Sequence, residues 1–394
     1  MARSMANAVF SDGHDLTPRK LIPMMTRMHR LSLIGLLAAS AMLWGCDSGP
    51  IQIGFLGALT GRYADLGVAG RDAVLLAVEQ ANQAGGIHGH LVVLKEFDDR
   101  QEPDAVSGLK PQIEAAKLTG MVGPMTSSVA AAWIPLANAL KIVSISPTVT
   151  SELFSGKDDY FFTVTSNTSA YASFSATYYV KTGGLRRFSL VLDAANSAYS
   201  KSWSHYFRKQ VESLGGQMVS EQTFKSGDHA GLASALDAAI AAKPEGLVFV
   251  ASAPDVAQLA QLARRKNSHL PLMAAEWAGS ESVWRLVGNG LNGLRFSQFM
   301  NSLDKSDKSI HFRNQFQARF GRSPGFGEFA AYDATQTLLH AIALKQPTET
   351  LKSAVLRIKD FDGIQNPIRF DANGDTQRPV YMVELNDGEL RGLQ

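Results

Sequence analysis

Three hydroxyl-bearing residues in a row, Thr126-Ser127-Ser128, end the segment Gly123-Pro124-Met125-Thr126-Ser127-Ser128 and lead straight into the helical run Val129–Leu140. A helix N-terminus carries N–H groups without intrahelical acceptors and the positive end of the helix dipole, so hydroxyls placed there suit a carboxylate. A lone serine would serve as well as a helix cap, and from the sequence both readings of Ser127 stand. A second hydroxyl-rich loop, Ser146-Pro147-Thr148-Val149-Thr150, follows the strand-like Ile142–Ile145. Glu276-Trp277 is of opposite character: an acid directly after the apolar run Pro271–Ala275 can pair with a ligand ammonium, although loop carboxylates are more commonly solvated. Tyr199, shortly after Leu192-Asp193, stands where it could close over a ligand or simply pack at a helix start. Gly57-Ala58-Leu59-Thr60-Gly61, with Tyr63 and Leu66-Gly67 beyond it, is a further flexible connection.

Each of these loops lies between a strand and a helix. Ile51–Leu56, Leu91–Phe97, Met121-Val122 and Ile142–Ile145 read as strands, alternating with helices at Val68–Ala84, from Pro103 onward, and at Ser127–Leu140. The alternation resumes with strands at Phe188–Leu192, Gln217–Phe224, Gly246–Ala251 and Leu272–Ala274. The helices between and after them are Tyr199–Leu214, His229–Ala242 and Asp255–Lys266. Short strands separated by helices of this length imply βαβ units and parallel, doubly wound sheets. About four units on either side of residue 165 suggest two similar lobes. More strand follows Leu294, then helices at Ser309–Phe320 and Glu328–Leu344, and last a turn, Asp371–Asp375, between Ile368–Phe370 and Val380–Leu385. In such sheets ligands bind beyond the C-terminal strand ends, which is where the hydroxyl loops and Glu276 fall.

The chain has 394 residues, 45% of them apolar and 19% charged, with a net charge of +2 and no long basic run. That suits a globular protein of two lobes and argues against a nucleic-acid surface. Enzyme motifs are lacking. Gly288–Gly293 spells GxGxxG but follows a helix and precedes a strand, the reverse of a dinucleotide loop. His88-Gly89-His90 has no third metal ligand nearby. Asp371–Asp375 has its glycine too early for a calcium loop. No cofactor or metal is expected.

The N-terminus reads as an export signal. The positive segment Met24–Arg30 precedes an uncharged apolar run, Leu31–Trp44, too short to span a bilayer comfortably. The run ends Leu43-Trp44-Gly45-Cys46, which resembles a bacterial lipobox; Cys46, the one cysteine of the chain, would be the lipidated residue. Acyl chains on it would hold the protein stably on a membrane, and Asp47 resembles an inner-membrane retention signal. Residues 1–45 are set apart as extension and signal.

The stretches IGFLGALTG, AGRDAVLLAVEQANQAGGIHG, FDD, GPMTSS, SPTVTSEL and EFAAYDATQTLLHAI together resemble the branched-chain amino-acid binding proteins, the type I periplasmic solute-binding proteins of ABC transporters. The likeness runs from about residue 51 to the C-terminus. It implies two Rossmann-like lobes joined by a three-strand hinge, with residues 51–165 plus 294–363 in lobe I and 166–293 plus 364–394 in lobe II. It also implies that Ser127 and Thr150 hold an α-carboxylate, that Thr148 contributes backbone contacts, that Glu276 holds the α-ammonium, and that Tyr199 is a tyrosine at the second-lobe edge of the cleft. Where the family has a tyrosine contacting the ligand side chain, this chain has Leu66, with Tyr63 shifted; a second aromatic is replaced near Ser252 or Ala253, and Trp277 could supply a new wall. The amino-acid clamp is thus kept while the side-chain pocket departs from the branched-chain pattern.

The expectation is a non-enzymatic receptor, lipid-anchored in the periplasm, delivering an amino acid or similar polar solute to an ABC permease. A sensor of the same fold for an amide, urea or carboxylate is the first alternative, and an envelope hydrolase using Ser127 the remote one.

Overall fold

The computed structural model describes residues 49–393 other than 267, so Cys46 and the signal segment lie outside the described residues. Two sheets organise the chain. The first contains β1 (Ile51–Gly57), β2 (Val92–Asp98), β3 (Gly120–Val122), β4 (Ser144–Ser146) and β5 (Phe161–Thr163), all parallel, in the order β2-β1-β3-β4-β5. The second contains β6 (Arg187–Asp193), β7 (Gln217–Phe224), β8 (Gly246–Val250), β9 (Leu272–Ala274) and β10 (Arg295–Gln298). A pair, β13 (Tyr381–Asn386) and β14 (Glu389–Gly392), completes it in the order β14-β13-β10-β9-β8-β6-β7. Between these, β11 (Asp360–Phe361) and β12 (Ile368–Arg369) pair only with each other.

The first helices in the chain are α1 (Ala64–Gln83), α2 (Pro103–Ala116), α3 (Ser127–Leu140), α4 (Thr168–Thr177), α5 (Ser197–Ser213), α6 (His229–Ala241) and α7 (Ala253–Arg265). They are followed by α8 (Glu281–Val287), α9 (Asp307–Phe320), α10 (Phe326–Leu344) and α11 (Leu351–Ile358). Strand periodicity assigns the faces. On β1, Ile53 and Phe55 join the core beneath α1 and α10, while Leu56 joins Val106, Ile113 and Trp133 beneath α2 and α3. On the second sheet, Leu190 and Val248 face Trp203 and Phe207 of α5, while Val191 and Phe249 face α6 and α7. Central strands covered on both faces become continuous apolar runs, as in β8, which is buried throughout.

Three departures from the sequence reading have clear causes. The second sheet is not wholly parallel: β13 runs antiparallel to β10 and also to β14, to which Asp387 and Gly388, at φ 53° and 78°, join it in a two-residue hairpin turn. Helix α1 begins at Ala64, one turn before the expected Val68, with Asp65 in its first turn, where an acid suits the positive end of the helix dipole. The lobe boundaries move as well. Arg295–Gln298, expected in lobe I, extends the second sheet beside β9. The segment after 363, expected in lobe II, first stays with the first sheet, since Ile364 N donates to Asp333 Oδ1 and Thr163 N to Gly374 O.

The chain therefore passes between the sheets near residues 164–167, 299–306 and 377–380. The first and third crossings are stitched together by Ser166 Oγ, which donates to Arg378 O (2.9 Å) and accepts from Arg378 N (2.7 Å). The Arg378 guanidinium, itself buried, donates to Asp333 Oδ2 of α10 at 2.8 Å and lies over the Phe299 ring of the second crossing.

Candidate functional site

In the first sheet the strand order reverses between β1 and β3; in the second it reverses between β6 and β8. Crossovers leave such points in opposite directions and open a crevice at the C-terminal strand ends. The segments after β1, β3 and β4 face those after β6, β9 and β10 across one narrow cavity holding about 440 Å³ of space not filled by atoms, its mouth included.

Ser127, Thr148 and Thr150 border this cavity from the first lobe, with Leu66 beside them; Tyr199, Glu276 and Trp277 border it from the second. Local backbone explains the first-lobe set. Gly123 sits at φ 115°, and a Cβ there would meet Leu56 O at 2.3 Å, so only glycine lets the chain turn from β3 into the hydroxyl loop. Gly67 is as restricted: its Cβ would fall 1.8 Å from Ala58 O, and that close approach seats the first turn of α1, with Leu66, at the cavity.

The hydroxyls are not spent on capping. Thr126, at the N-cap position of α3, makes no side-chain cap bond, and its Oγ1 is buried without a partner. Ser127 Oγ accepts a long bond from Ser151 N (3.4 Å). The Ser128 N–H reaches across the cleft to Asn196 Oδ1 at 3.0 Å. Thr148 is different: its hydroxyl donates to Met125 O at 2.6 Å and ties two loops together.

Glu276 faces this wall. It is 5% exposed. Its Oε1 accepts from Thr150 Oγ1 at 3.4 Å and its Oε2 from Trp203 Nε1 at 2.9 Å. Burial pushes its carboxyl up to about 7, against the lowering effect of nearby donors, Tyr199, Trp203 and Thr150 among them. Tyr199 is driven well above the ordinary phenol range, first by its own burial and then by the Glu276 charge. Its hydroxyl lies close to the carboxylate but forms no well-aligned bond. A buried carboxylate with only neutral donors around it lacks a cation.

Trp277 makes a wall that spans both lobes. It stacks on Tyr63 of the first lobe (6.2 Å, 24°) and takes Tyr199 edge-on (5.6 Å, 80°). Ser252 and Ala253 do not border the cavity; Ser252 Oγ instead bonds Asp255 Oδ2 at 3.0 Å. The aromatic rings bordering it, besides Tyr199 and Trp277, are Tyr171, Phe299 and Phe326.

Outside the cavity the lobes are latched. Arg62, before α1, donates through Nη2 to Asp255 Oδ1 (2.5 Å) and through Nε to Ser226 Oγ (2.7 Å), and Tyr63 Oη donates to Asp193 Oδ2 (3.3 Å). Burial raises the Asp193 carboxyl to about 6. Ser151 Oγ donates to Ala198 O at 2.7 Å. The arrangement is a closed clamshell.

The sequence reading missed Trp203, Asn196, Thr165 and Gln298. Trp203 follows the apolar period of α5, and nothing nearby sets it apart. Gln298 ends a short strand, Arg295–Gln298, whose mixed residues do not mark it in the sequence. Among the described residues no cluster of side chains could hold a metal, and no helix is long and apolar enough to cross a membrane.

Two doubly wound lobes, crossed three times and shut on a cavity with a hydroxyl-rich wall opposite a buried carboxylate, define a receptor that encloses a small solute. The chain belongs to the periplasmic binding proteins, whose family profile matches residues 50–389, and is thus an extracytoplasmic solute-binding protein. It is 24% identical over 356 residues to a Leu/Ile/Val-binding protein homolog of Brucella melitensis, covering 87% of this chain and 94% of that one. A leucine binding protein from Thermotoga maritima superposes with a TM-score of 0.80 at 21% identity, covering 87% and 98%. A branched-chain amino acid binding protein from Streptococcus pneumoniae, solved with isoleucine, gives 0.78 at 25% identity over 87% and 98%. A solute-binding protein from R. palustris in complex with benzoate also gives 0.78, at 20% identity over 88% and 96%.

Proposed function

We propose that this protein is the solute-binding component of an ABC importer and that its ligand is an α-amino acid enclosed between the two lobes. Ser127, Thr150 and the N-terminus of α3 take the carboxylate; Glu276 and Tyr199 take the ammonium; Leu66 and Trp277 wall the side chain. The observation that carries this reading is the buried Glu276 carboxylate, held 2.9 Å from Trp203 Nε1 in a cavity shared with the N-terminus of α3, with no cation among the described residues that border it. The ligand bridges the lobes, so binding draws the population toward the closed form that a permease recognises. The relatives named for leucine, isoleucine and valine support the ligand class. The reading assigns no catalytic step: among the described residues no histidine borders the cavity to activate Ser127. Lipidation of Cys46 rests on the sequence alone and would set the receptor beside its permease on the inner membrane.

The benzoate-bound neighbour favours a second reading, in which a carboxylate without an amine fills the same cleft. Calorimetry with amino acids and with the matching acids lacking the amine separates the two. Tighter binding of the amine-free acids overturns the amino-acid reading.

A further inference from the structure

The amino-acid clamp leaves part of the cavity wall unused. After Ser127 and Thr150 are assigned to the carboxylate, and Glu276 and Tyr199 to the ammonium, three of the remaining polar side chains bordering the cavity carry buried atoms without a partner: Thr126, Thr165 and Gln298. The hydroxyls of both threonines, and both the Nε2 and the Oε1 of Gln298, are buried without a partner. Gln298 is 1% exposed. Its position follows from the sheet. Ala274 and Phe296 are paired across β9 and β10, so Glu276 and Gln298, each two residues further on, leave neighbouring strand ends together. The residue before it is fully satisfied, with Ser175 Oγ donating to Ser297 Oγ at 2.8 Å. On this strand end the unmet pairing thus falls on the side chain that borders the cavity.

Charge narrows what can meet it. Among the described residues bordering the cavity, Glu276 is the one charged side chain. An acidic ligand side chain would find no counter-charge there, and a basic one would find no acid beyond that already given to the ammonium. The nearby Arg378 lies behind the Phe299 ring and is neutralised by Asp333. An aliphatic side chain would strip water from a donor and an acceptor at Gln298 and replace neither.

Resting on the amino-acid reading above, we propose that Gln298 is a specificity-determining residue and that the ligand is an amino acid whose neutral side chain both donates and accepts hydrogen bonds, a carboxamide before a hydroxyl. A carboxamide lies flat against the Gln298 amide, donating N–H to Oε1 and accepting from Nε2, with Thr165 and Thr126 bordering the same cavity. Sites built to pair a polar group discriminate against the apolar analogue more strongly than apolar pockets discriminate against one methylene.

The test is calorimetry on the signal-free protein with glutamine, asparagine, threonine, leucine, isoleucine and glutamate, repeated on Gln298→Met. The expected result is that glutamine or asparagine binds the unaltered protein about 10- to 100-fold tighter than leucine, and that Gln298→Met narrows or inverts that ratio. Leucine or isoleucine binding the unaltered protein as tightly as the amides overturns the inference while leaving the amino-acid reading in place, as does tightest binding of glutamate. Failure of every amino acid to bind overturns both. The comparison within the unaltered protein decides the matter even should Gln298→Met fold poorly.

Discussion

An ammonium ligand must bind the ionised form of Glu276, and the fold makes that form scarce on the acid side of neutrality. Burial raises the carboxyl to about 7 in the ligand-free receptor. At pH 6 the protonated form then outnumbers the ionised one by about ten to one, whereas at pH 8 ionisation is nearly complete. Affinity for an amino acid should accordingly fall about tenfold from pH 8 to pH 6, near 1.4 kcal/mol, with about one proton released per ligand bound at the lower pH. The bound ammonium depresses the same carboxyl by roughly 1–3 units, so the loss levels off where pH passes below that bound-state value. Titration calorimetry in two buffers of different ionisation enthalpy measures both the affinity and the proton count. Glu276→Gln should abolish the pH dependence and weaken binding by about 2–5 kcal/mol, because the ammonium is then buried without its counter-charge. Affinity that stays level or rises on acidification, or proton uptake instead of release, would refute the pairing.

The same carboxyl bears on stability in the ligand-free state. Its folded value lies above the unfolded one near 4.5, so folding loses stability as pH rises from there through about 7; Glu276→Gln should show a smaller decline in melting temperature over that window than the unaltered protein. Removing the Trp203 indole donor with Trp203→Phe should weaken amino-acid binding by about 1–2 kcal/mol while leaving the stacking on Phe207 (4.9 Å, 16°) largely in place, which calorimetry and near-ultraviolet dichroism would check together. Arg62 is about one-third exposed, so Arg62→Ala should raise the ligand Kd only about two- to fivefold, but small-angle scattering should show a more open ligand-free receptor. Arg378→Met should cost about 3–5 kcal/mol in denaturant unfolding, because Asp333 would be left charged and unpaired inside the hinge.

The sequence carried the strand–helix alternation almost element by element because each element is a local pattern: a short apolar run, then an amphipathic period closed by glycine or lysine. It also carried the hydroxyls at the start of α3 and after β4, since the order strand, loop, helix places a loop at the cleft without knowledge of the rest of the fold. It did not carry the lobe boundaries, because whether Arg295–Gln298 joins the first or the second sheet depends on which strand edge is vacant. Nothing within four residues expresses that.

The character of the cleft came from tertiary structure alone. Glu276 meets Thr150 across 126 positions, Trp203 across 73, and Arg62 meets Asp255 across 193. In the sequence Glu276 is an ordinary loop acid with an ordinary carboxyl. Only burial against another lobe removes its water, raises its proton affinity and leaves it in need of a cation. Gln298 is the parallel case, a polar strand end whose unmet donor and acceptor exist only because two sheets close over it. Local pattern determined which groups stand at the ends of the strands, and packing decided which of them lost their solvent; the second step is the one that creates a binding site.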